Sequence, residues 1–95
     1  MERRLGTAII LIEDRNSVTS LNHIISKHAA VIIGRQGIPL RDKGLNIISL
    51  VLDGTTAEIG ALTGQIGRLS GVQVKSALLK ATSNPNITIS EPFSV

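Results

Sequence analysis

Leu5-Gly-Thr-Ala-Ile-Ile-Leu-Ile12 is apolar at nearly every position and ends at the charged pair Glu13-Asp14. Eight residues rich in β-branched isoleucine are typical of a β-strand that is buried on both faces. The segment from Leu45 to Leu52 has the same character, because aliphatic side chains occupy both its odd and its even positions. The sequence therefore predicts two strands that lie at the centre of one sheet.

A helix is predicted after each of these strands. The first follows the turn Glu13-Asp14-Arg15-Asn16, and Asn16 or Ser17 can serve as its N-cap. Its apolar stripe runs through Val18, Leu21, Ile24 and Ile25, and we expect its end near His28.

The second helix begins at Thr55-Thr-Ala-Glu58, which has the pattern of a capping box. Its apolar stripe is Ile59, Leu62, Ile66 and Leu69. We expect Gly71 to end this helix in the left-handed conformation that glycine adopts without strain.

Two further segments predict outer strands. Val31-Ile-Ile begins a strand that runs towards Ile38, and Gly37 to Gly44 predicts a loop, because Pro39 cannot donate to a ladder. From Val72 to Leu79 apolar and polar residues alternate, as is typical of a half-exposed edge strand.

The predicted order βαββαβ is that of an α+β, ferredoxin-like sandwich, with an antiparallel sheet of order 4-1-3-2 and two helices on one face. We expect one domain over residues 1–80. Residues 81–95 are expected to be a flexible tail, or to add a weak strand at Ile87–Ile89. The sheet face away from the helices would be apolar over more area than is usual for a monomer, so we expect a homo-oligomer, either a dimer or a tetramer.

Composition excludes several classes of function. The 95 residues include no cysteine and a single aromatic residue, Phe93, so thiolate metal sites and stacking on nucleic-acid bases are excluded. The net charge is only +3 and the basic residues are scattered, which disfavours direct nucleic-acid binding. No apolar run approaches the roughly 20 residues of a membrane span. We expect a cytoplasmic protein with no membrane contact.

The titratable residues form no catalytic constellation. His23 and His28 lie about 140° apart around a helix, so they cannot chelate one metal. Glu13 and Asp14 are neighbours at a strand end and point to opposite faces. We therefore predict no catalytic residues, no metal and no cofactor, and a protein that is not an enzyme.

The turn from Ile12 to Val18, followed by Leu21, resembles the ACT-type ligand-sensing module. That module turns through an Asp-Arg-Pro-Gly-like sequence into its first helix, and a small molecule often binds there across a subunit interface. Asn16-Ser17 stand here in place of Pro-Gly. The resemblance implies an ACT-like fold and a ligand site at this turn.

The segment from Ile48 to Lys75 resembles the C-terminal domain of the nickel-responsive repressor, a tetramerising relative of the ACT module. The positions of its nickel ligands correspond to Ile38, Leu40 and Asn46, none of which is histidine or cysteine. The resemblance therefore implies no nickel site. We also expect the chain to lack the DNA-binding domain of that repressor.

Residues 4–80 resemble most closely a small stand-alone family of candidate iron-only hydrogenase system regulators. The motifs that carry this resemblance are the Glu13-Asp14-Arg15 turn, Gly34-Arg35-Gln36-Gly37-Ile38-Pro39, Asn46-Ile-Ile-Ser-Leu50, Asp53-Gly-Thr55 and Glu58-Ile-Gly-Ala-Leu-Thr-Gly64. The resemblance implies a regulatory role in such a system.

We predict a ligand site where one turn of the chain meets the second strand across a subunit contact. Its residues are Asp14, Arg15, Asn16 and Ser17 from the turn and Gly34, Arg35 and Gly37 from the strand. Arg35 would bind an anionic group, and the amides of the helix N-terminus would assist. Two alternatives remain open. Arg35 can equally be an edge-strand charge that discourages aggregation, and the chain can be a protein–protein interaction module without a ligand.

Overall fold

A computed structural model describes residues 2–80, so the predicted tail at 81–95 lies outside the described residues. The strands and helices follow the predicted order. They are β1 (Arg3–Ile12), α1 (Val18–Lys27), β2 (Ile32–Leu40), β3 (Leu45–Thr55), α2 (Thr56–Gly67) and β4 (Val72–Leu78).

The four strands form one antiparallel sheet of order β2-β3-β1-β4, which is the predicted order 4-1-3-2 counted from the opposite edge. β1 pairs with β3 along its whole length, from Arg3 opposite Thr55 to Ile12 opposite Asn46. The two strands that are apolar on both faces are therefore the central ones. The predicted α+β, ferredoxin-like fold is confirmed.

The core lies between one face of this sheet and the two helices. Alternate residues of the central strands point into it, and α1 and α2 contribute the stripes that the helical spacing predicted. Its buried members are Ala8, Ile10, Ile12, Leu21, Ile25, Val31, Ile48, Leu50, Leu52, Ile59, Leu62 and Ile66. Each large side chain among them stabilises the fold by about 1.5–3 kcal/mol relative to an exposed position.

The prediction that a loop begins at Gly37 is wrong, because β2 continues through Pro39 to Leu40. Pro39 lies opposite Asn46 of β3. Since β2 is an outer strand of the sheet, one of its sides needs no ladder partner, and a residue without an N–H is tolerated there. The chain then turns through Arg41–Lys43 to Gly44, which has a φ of +67°.

The start of α1 differs from the prediction in the contact that caps it. A 3₁₀ turn over Arg15–Ser17 precedes the helix, and the Asp14 carboxylate accepts a hydrogen bond from the Asn16 amide at 2.9 Å. Ser17 occupies the N-cap position as predicted, but its side chain does not cap the helix. Its hydroxyl donates instead to the Ser70 carbonyl at 2.6 Å. This contact fastens the start of α1 to the turn before β4.

Gly71 is left-handed as predicted, with a φ of +66°, but it does not end α2, which stops at Gly67. It forms the turn into β4, where its carbonyl accepts from the amides of Glu13 and Asp14 at 2.7 and 3.3 Å. A Cβ at this position would collide with the side chain of Asp14. Glycine is therefore required here both by conformation and by space.

We predict that Gly71→Ala destabilises the fold more than Gly44→Ala does. Both glycines have φ near +66°, but nothing lies within 4 Å of a Cβ at Gly44. Gly44→Ala should therefore cost only the left-handed strain, about 1–2 kcal/mol. Gly71→Ala should lower the free energy of unfolding by at least about 1 kcal/mol more. Urea unfolding followed by far-ultraviolet circular dichroism measures both, and equal losses would show that the contact with Asp14 relaxes without cost.

The capping box predicted at the start of α2 is confirmed. The Glu58 amide donates to the Thr55 hydroxyl at 3.1 Å, and the Glu58 carboxylate accepts from the Thr55 amide at 2.9 Å. Hydrogen bonds from Thr55 to the Glu58 carboxylate lower the pKa of Glu58, chiefly the one from the Thr55 backbone amide, and the Arg3 guanidinium at 3.9 Å lowers it further. The charged form of Glu58 is thus favoured in the folded chain.

Because the folded chain lowers the pKa of Glu58, ionised Glu58 stabilises the fold above the pKa of the unfolded chain. That stability should be lost as the pH falls through and below about 4.3. We predict that Glu58→Gln makes the thermal unfolding midpoint less dependent on pH between about 6 and 3. Thr55→Ala should cost about 1 kcal/mol at neutral pH. Circular dichroism melts across this pH range test both, and an unchanged slope for Glu58→Gln would contradict the account.

Candidate functional site

A groove of about 360 Å³ lies beside α1, where β2 extends beyond the cover of the helices. Of the strand residues in β2, Ile32 packs against the core, whereas residues 35–39 are exposed. The groove is lined by Ile12, Val18, Asn22, Arg35, Gly37, Ile38, Pro39, Asn46, Ile47 and Ile48. It is a shallow, open site with a largely aliphatic lining.

The floor of the groove is open because of Gly37. This residue lies opposite Ile48 in the sheet, and a Cβ built on it meets no atom within 4 Å. Asn46 lies in the next row of the same face, between Ile12 of β1 and Pro39 of β2. The floor therefore combines aliphatic surface with one half-buried carboxamide.

Arg35 gives the groove its charge. Its Nη2 donates to Oδ1 of Asn22 on α1 at 3.0 Å. Arg35 is the only ionisable residue that lines the groove, and its partner is a neutral amide. The guanidinium has five N–H donors, so most of its hydrogen-bonding capacity is available to a bound anion.

The structure brings together two of the seven predicted site residues, Arg35 and Gly37. Both lie beside the side of α1 that carries Val18 and Asn22, which are one helical turn apart. The predicted turn residues 14–17 do not line the groove. Gly34 lies opposite Val51, and a Cβ on it would approach the Val51 Cβ at 3.4 Å, on the other face of the sheet.

The four turn residues have different surroundings. Asp14 and Ser17 are engaged in the contacts that begin α1, whereas Arg15 and Asn16 are exposed. A meeting of this turn with the second strand of another subunit stays a prediction.

Sequence reasoning missed Asn22 and Asn46 as lining residues. Asn46 did carry a signal, because it is a polar residue within the aliphatic run from Leu45 to Leu52. Asn22 follows Val18 by four residues and therefore shares its side of the helix, but nothing in the sequence showed that this side would face β2.

A second surface is the sheet face away from the helices, which we call the open face. Its exposed aliphatic side chains include Ile9 (52% exposed), Val51 (46%) and Ile33 (60%), together with Leu5, Ile38 and Leu79. A depression of about 310 Å³ lies among them and is lined by Leu5, Gly6, Thr7, Ile33, Val51, Ala77, Leu78 and Leu79.

Polar contacts bound the open face at both ends of the central strands. Arg3 and Asp53 form an ion pair at 3.2 Å at one end. Glu13 accepts a hydrogen bond from Gln73 at 2.8 Å at the other. Within residues 2–80 the exposed aliphatic side chains of the open face thus lie between two polar ends, with Ser49 opposite Ile9 at the centre and with Gln36 and Lys75 on the outer strands beside them.

Two kinds of functional element are absent from the described part of the chain. Residues 2–80 contain no cluster of three His, Cys, Asp or Glu side chains suited to a metal ion. Among the same residues, neither helix has the length and apolar character needed to cross a membrane.

The sheet order and the helical layer on one face define a small ferredoxin-like α+β domain. Residues 4–76 match the TM1266-like family, which is described as a candidate iron-only hydrogenase system regulator. The chain belongs to this family.

The solved structures agree with this assignment. Uncharacterized protein TM1266 from Thermotoga maritima is 38% identical and superimposes with a TM-score of 0.78, over 83% of this chain and 100% of that one. The C-terminal domain of the MgtC protein from Mycobacterium tuberculosis shares the fold at 14% identity, with a TM-score of 0.63 over 85% of this chain and 94% of that one. No curated protein matches the chain significantly.

We predict that Ser17 has a structural role that is separable from any ligand. Ser17→Ala removes the hydrogen bond to Ser70 and leaves a carbonyl without its partner, so the free energy of unfolding should fall by about 1–2 kcal/mol. Ser20→Ala, an exposed change on α1, should cause no loss, because alanine favours the helix. Denaturant unfolding measures the free energy of unfolding of both variants, and equal values would contradict a structural role for Ser17.

Proposed function

We propose that this chain is a non-catalytic, ACT-like regulator of an iron-only hydrogenase system that works as a homo-oligomer and senses a small ligand. It acts through a subunit contact and a ligand rather than through DNA. The observation that carries this proposal is the open face, because the central strands present large aliphatic side chains on the side that the helices leave uncovered.

A second copy of the chain is the occupant that fits the open face best. Six large aliphatic side chains are exposed on or at the edge of this face, and a cluster of exposed apolar side chains on a soluble domain marks an interaction surface. Two identical faces related by a two-fold axis cover each other, and this is the commonest arrangement of homo-oligomers. The exposed aliphatic side chains of the central strands lie between the Arg3–Asp53 and Glu13–Gln73 pairs, and an interface typically has such an apolar core within a polar rim.

The shape of the face supports the same partner. Thr7 is a small residue in the depression, and Ile9, two residues along β1, is half exposed beside it. Residues i and i+2 of a strand lie about 6–7 Å apart on one face. A two-fold axis near this point would place Ile9 of each copy over the depression of the other.

The groove supports ligand sensing because it shares residues with this interface. Ile38 and Ile47 are opposite each other in the sheet, and both contribute to the groove lining. Ile38 is also among the exposed aliphatic residues at the edge of the open face. A ligand that moved β2 would therefore alter the rim of the subunit contact, and assembly and binding would be linked.

The absence of catalysis in this proposal is supported by the chemistry of the described residues. The lowered pKa of Glu58 is explained by its hydrogen bonds to Thr55 at the start of α2, which is a structural role. His28 contacts Gln65 of α2 at 3.3 Å, and neither residue lines the groove.

The second candidate function is a protein–protein interaction module with no ligand, which the same open face favours. The two differ in one measurable property. A ligand that binds only the folded chain should stabilise it saturably, by about 2.7 kcal/mol at a hundredfold excess over its Kd. An interaction module would show no such effect with any small molecule.

We predict that wild-type protein sediments as two or more chains at micromolar concentration, and that Ile9→Glu shifts it to single chains. The buried carboxylate would lack a partner in the contact, which is strongly unfavourable. Ser20→Glu places the same charge on the exposed side of α1 and should leave the assembly intact. Circular dichroism confirms that both variants are folded, and a wild-type protein that sediments as one chain would refute the homo-oligomer.

A further inference from the structure

We propose that the groove between α1 and β2 binds a small aliphatic monocarboxylate, with the carboxylate on Arg35 and the hydrocarbon body over Gly37. This inference rests on the proposed ligand-sensing function and adds to it the place and the chemical class of the ligand. Charge, hydrogen-bonding groups, size and lining each restrict that class.

The charge of the groove calls for a single anionic group. Arg35 is the only ionisable residue in the lining, and no carboxylate accompanies it there. It pairs with the neutral amide of Asn22, whereas Arg3 on the other side of the molecule contacts two acids, Asp53 and Glu58. A guanidinium presents two parallel N–H donors that match a carboxylate.

The amides at the groove supply further donors. Asn22 accepts from Arg35 through Oδ1, so the hydrogen bond uses its oxygen and leaves its Nδ2 group for a second acceptor. Asn46 lies on the floor between Ile12 and Pro39. One strong cationic fork flanked by neutral amides fits a monoanion better than a doubly charged phosphate.

The rest of the lining sets the body of the ligand. Apart from Arg35 and the two Asn residues, it consists of Ile12, Val18, Gly37, Ile38, Pro39, Ile47 and Ile48. The volume of about 360 Å³ is at the small end of the range of about 300–1,000 Å³ typical of ligand pockets. No aromatic residue occurs in residues 2–80 to stack on a base, which disfavours a nucleotide.

Gly37 favours a ligand site over the alternative in which Arg35 is only an edge-strand charge. A charge that discourages strand pairing needs no cavity beside it. Here the residue two positions along the same face has no side chain, and the space that its Cβ would enter is empty to 4 Å. The cation and the vacant apolar floor lie side by side on one strand.

The test uses three probes of equal length that differ in charge, namely hexanoate, hexanamide and hexylamine. Binding is followed by two-dimensional amide NMR of the 15N-labelled full-length chain, because the protein has no Trp or Tyr for fluorescence. Hexanoate should cause saturable shifts at Asn22, Arg35, Gly37 and Asn46. Hexanamide and hexylamine should bind at least tenfold more weakly.

Variants then locate the site. Arg35→Gln should weaken hexanoate binding at least tenfold, and Gly37→Val should abolish it by filling the floor. Gly37 is not in the left-handed region, and its Cβ meets no atom, so Gly37→Val should fold. Arg68→Gln removes the same charge from an exposed position after α2 and should bind as wild type does.

Equal responses to all three probes would overturn the proposal, as would full binding by Arg35→Gln or the absence of saturation with hexanoate. These outcomes leave the proposed function separately testable. If the protein purified from its host carries another small molecule in fixed ratio to chains, the ligand class is wrong and sensing stands. If the purified protein carries no small molecule and hexanoate also does not bind, the proposed sensor function is wrong. The chain is then a protein–protein interaction module, whatever its oligomeric state in sedimentation.

Discussion

The pairing of β1 with β3 is the constraint on which the rest of the structure depends. Both strands carry aliphatic side chains on both faces, and ten residues of β1 are matched one to one with β3. The two short helices can cover only one of these faces. The core, with Ile10 and Leu50 fully buried, uses that covered side. The same pairing leaves Ile9 and Val51 exposed on the other side, so the stability of the domain and the proposed subunit contact have one origin.

The groove arises from the same geometry at the edge of the sheet. β2 is an outer strand, and Arg35 and Gly37 lie on its helical face at exposed positions beside α1. Ile38 and Ile47 link the groove to the edge of the open face. A regulator needs two sites whose occupancies affect each other. In this domain one pair of adjacent strands, β2 and β3, contributes to both of the proposed sites, the groove and the subunit contact.

Much of the fold could be predicted from the sequence, because it depends on local periodicity. The doubly apolar strands, the capping box at Thr55 and the left-handed Gly71 were each specified by neighbouring residues. The end of β2 was not, because Pro39 is acceptable only on an outer strand, and that depends on pairing across the sheet. For the site, Arg35 and Gly37 were predicted, whereas Asn22 depended on the rotation of α1 and its distance from β2. The sequence pattern of one element does not specify how that element is rotated or placed relative to another.

The central claim is that a second copy of the chain covers the open face, and thiol labelling of single-cysteine variants tests it most directly. The chain has no cysteine, so Ser49→Cys places one thiol at the centre of the open face, opposite Ile9. Ser20→Cys places one on exposed α1. The account predicts that maleimide labelling of Ser49→Cys slows as protein concentration rises, while Ser20→Cys reacts at a constant rate. Rates for both variants that do not change with concentration, in a protein that sediments as a single chain throughout, would contradict it.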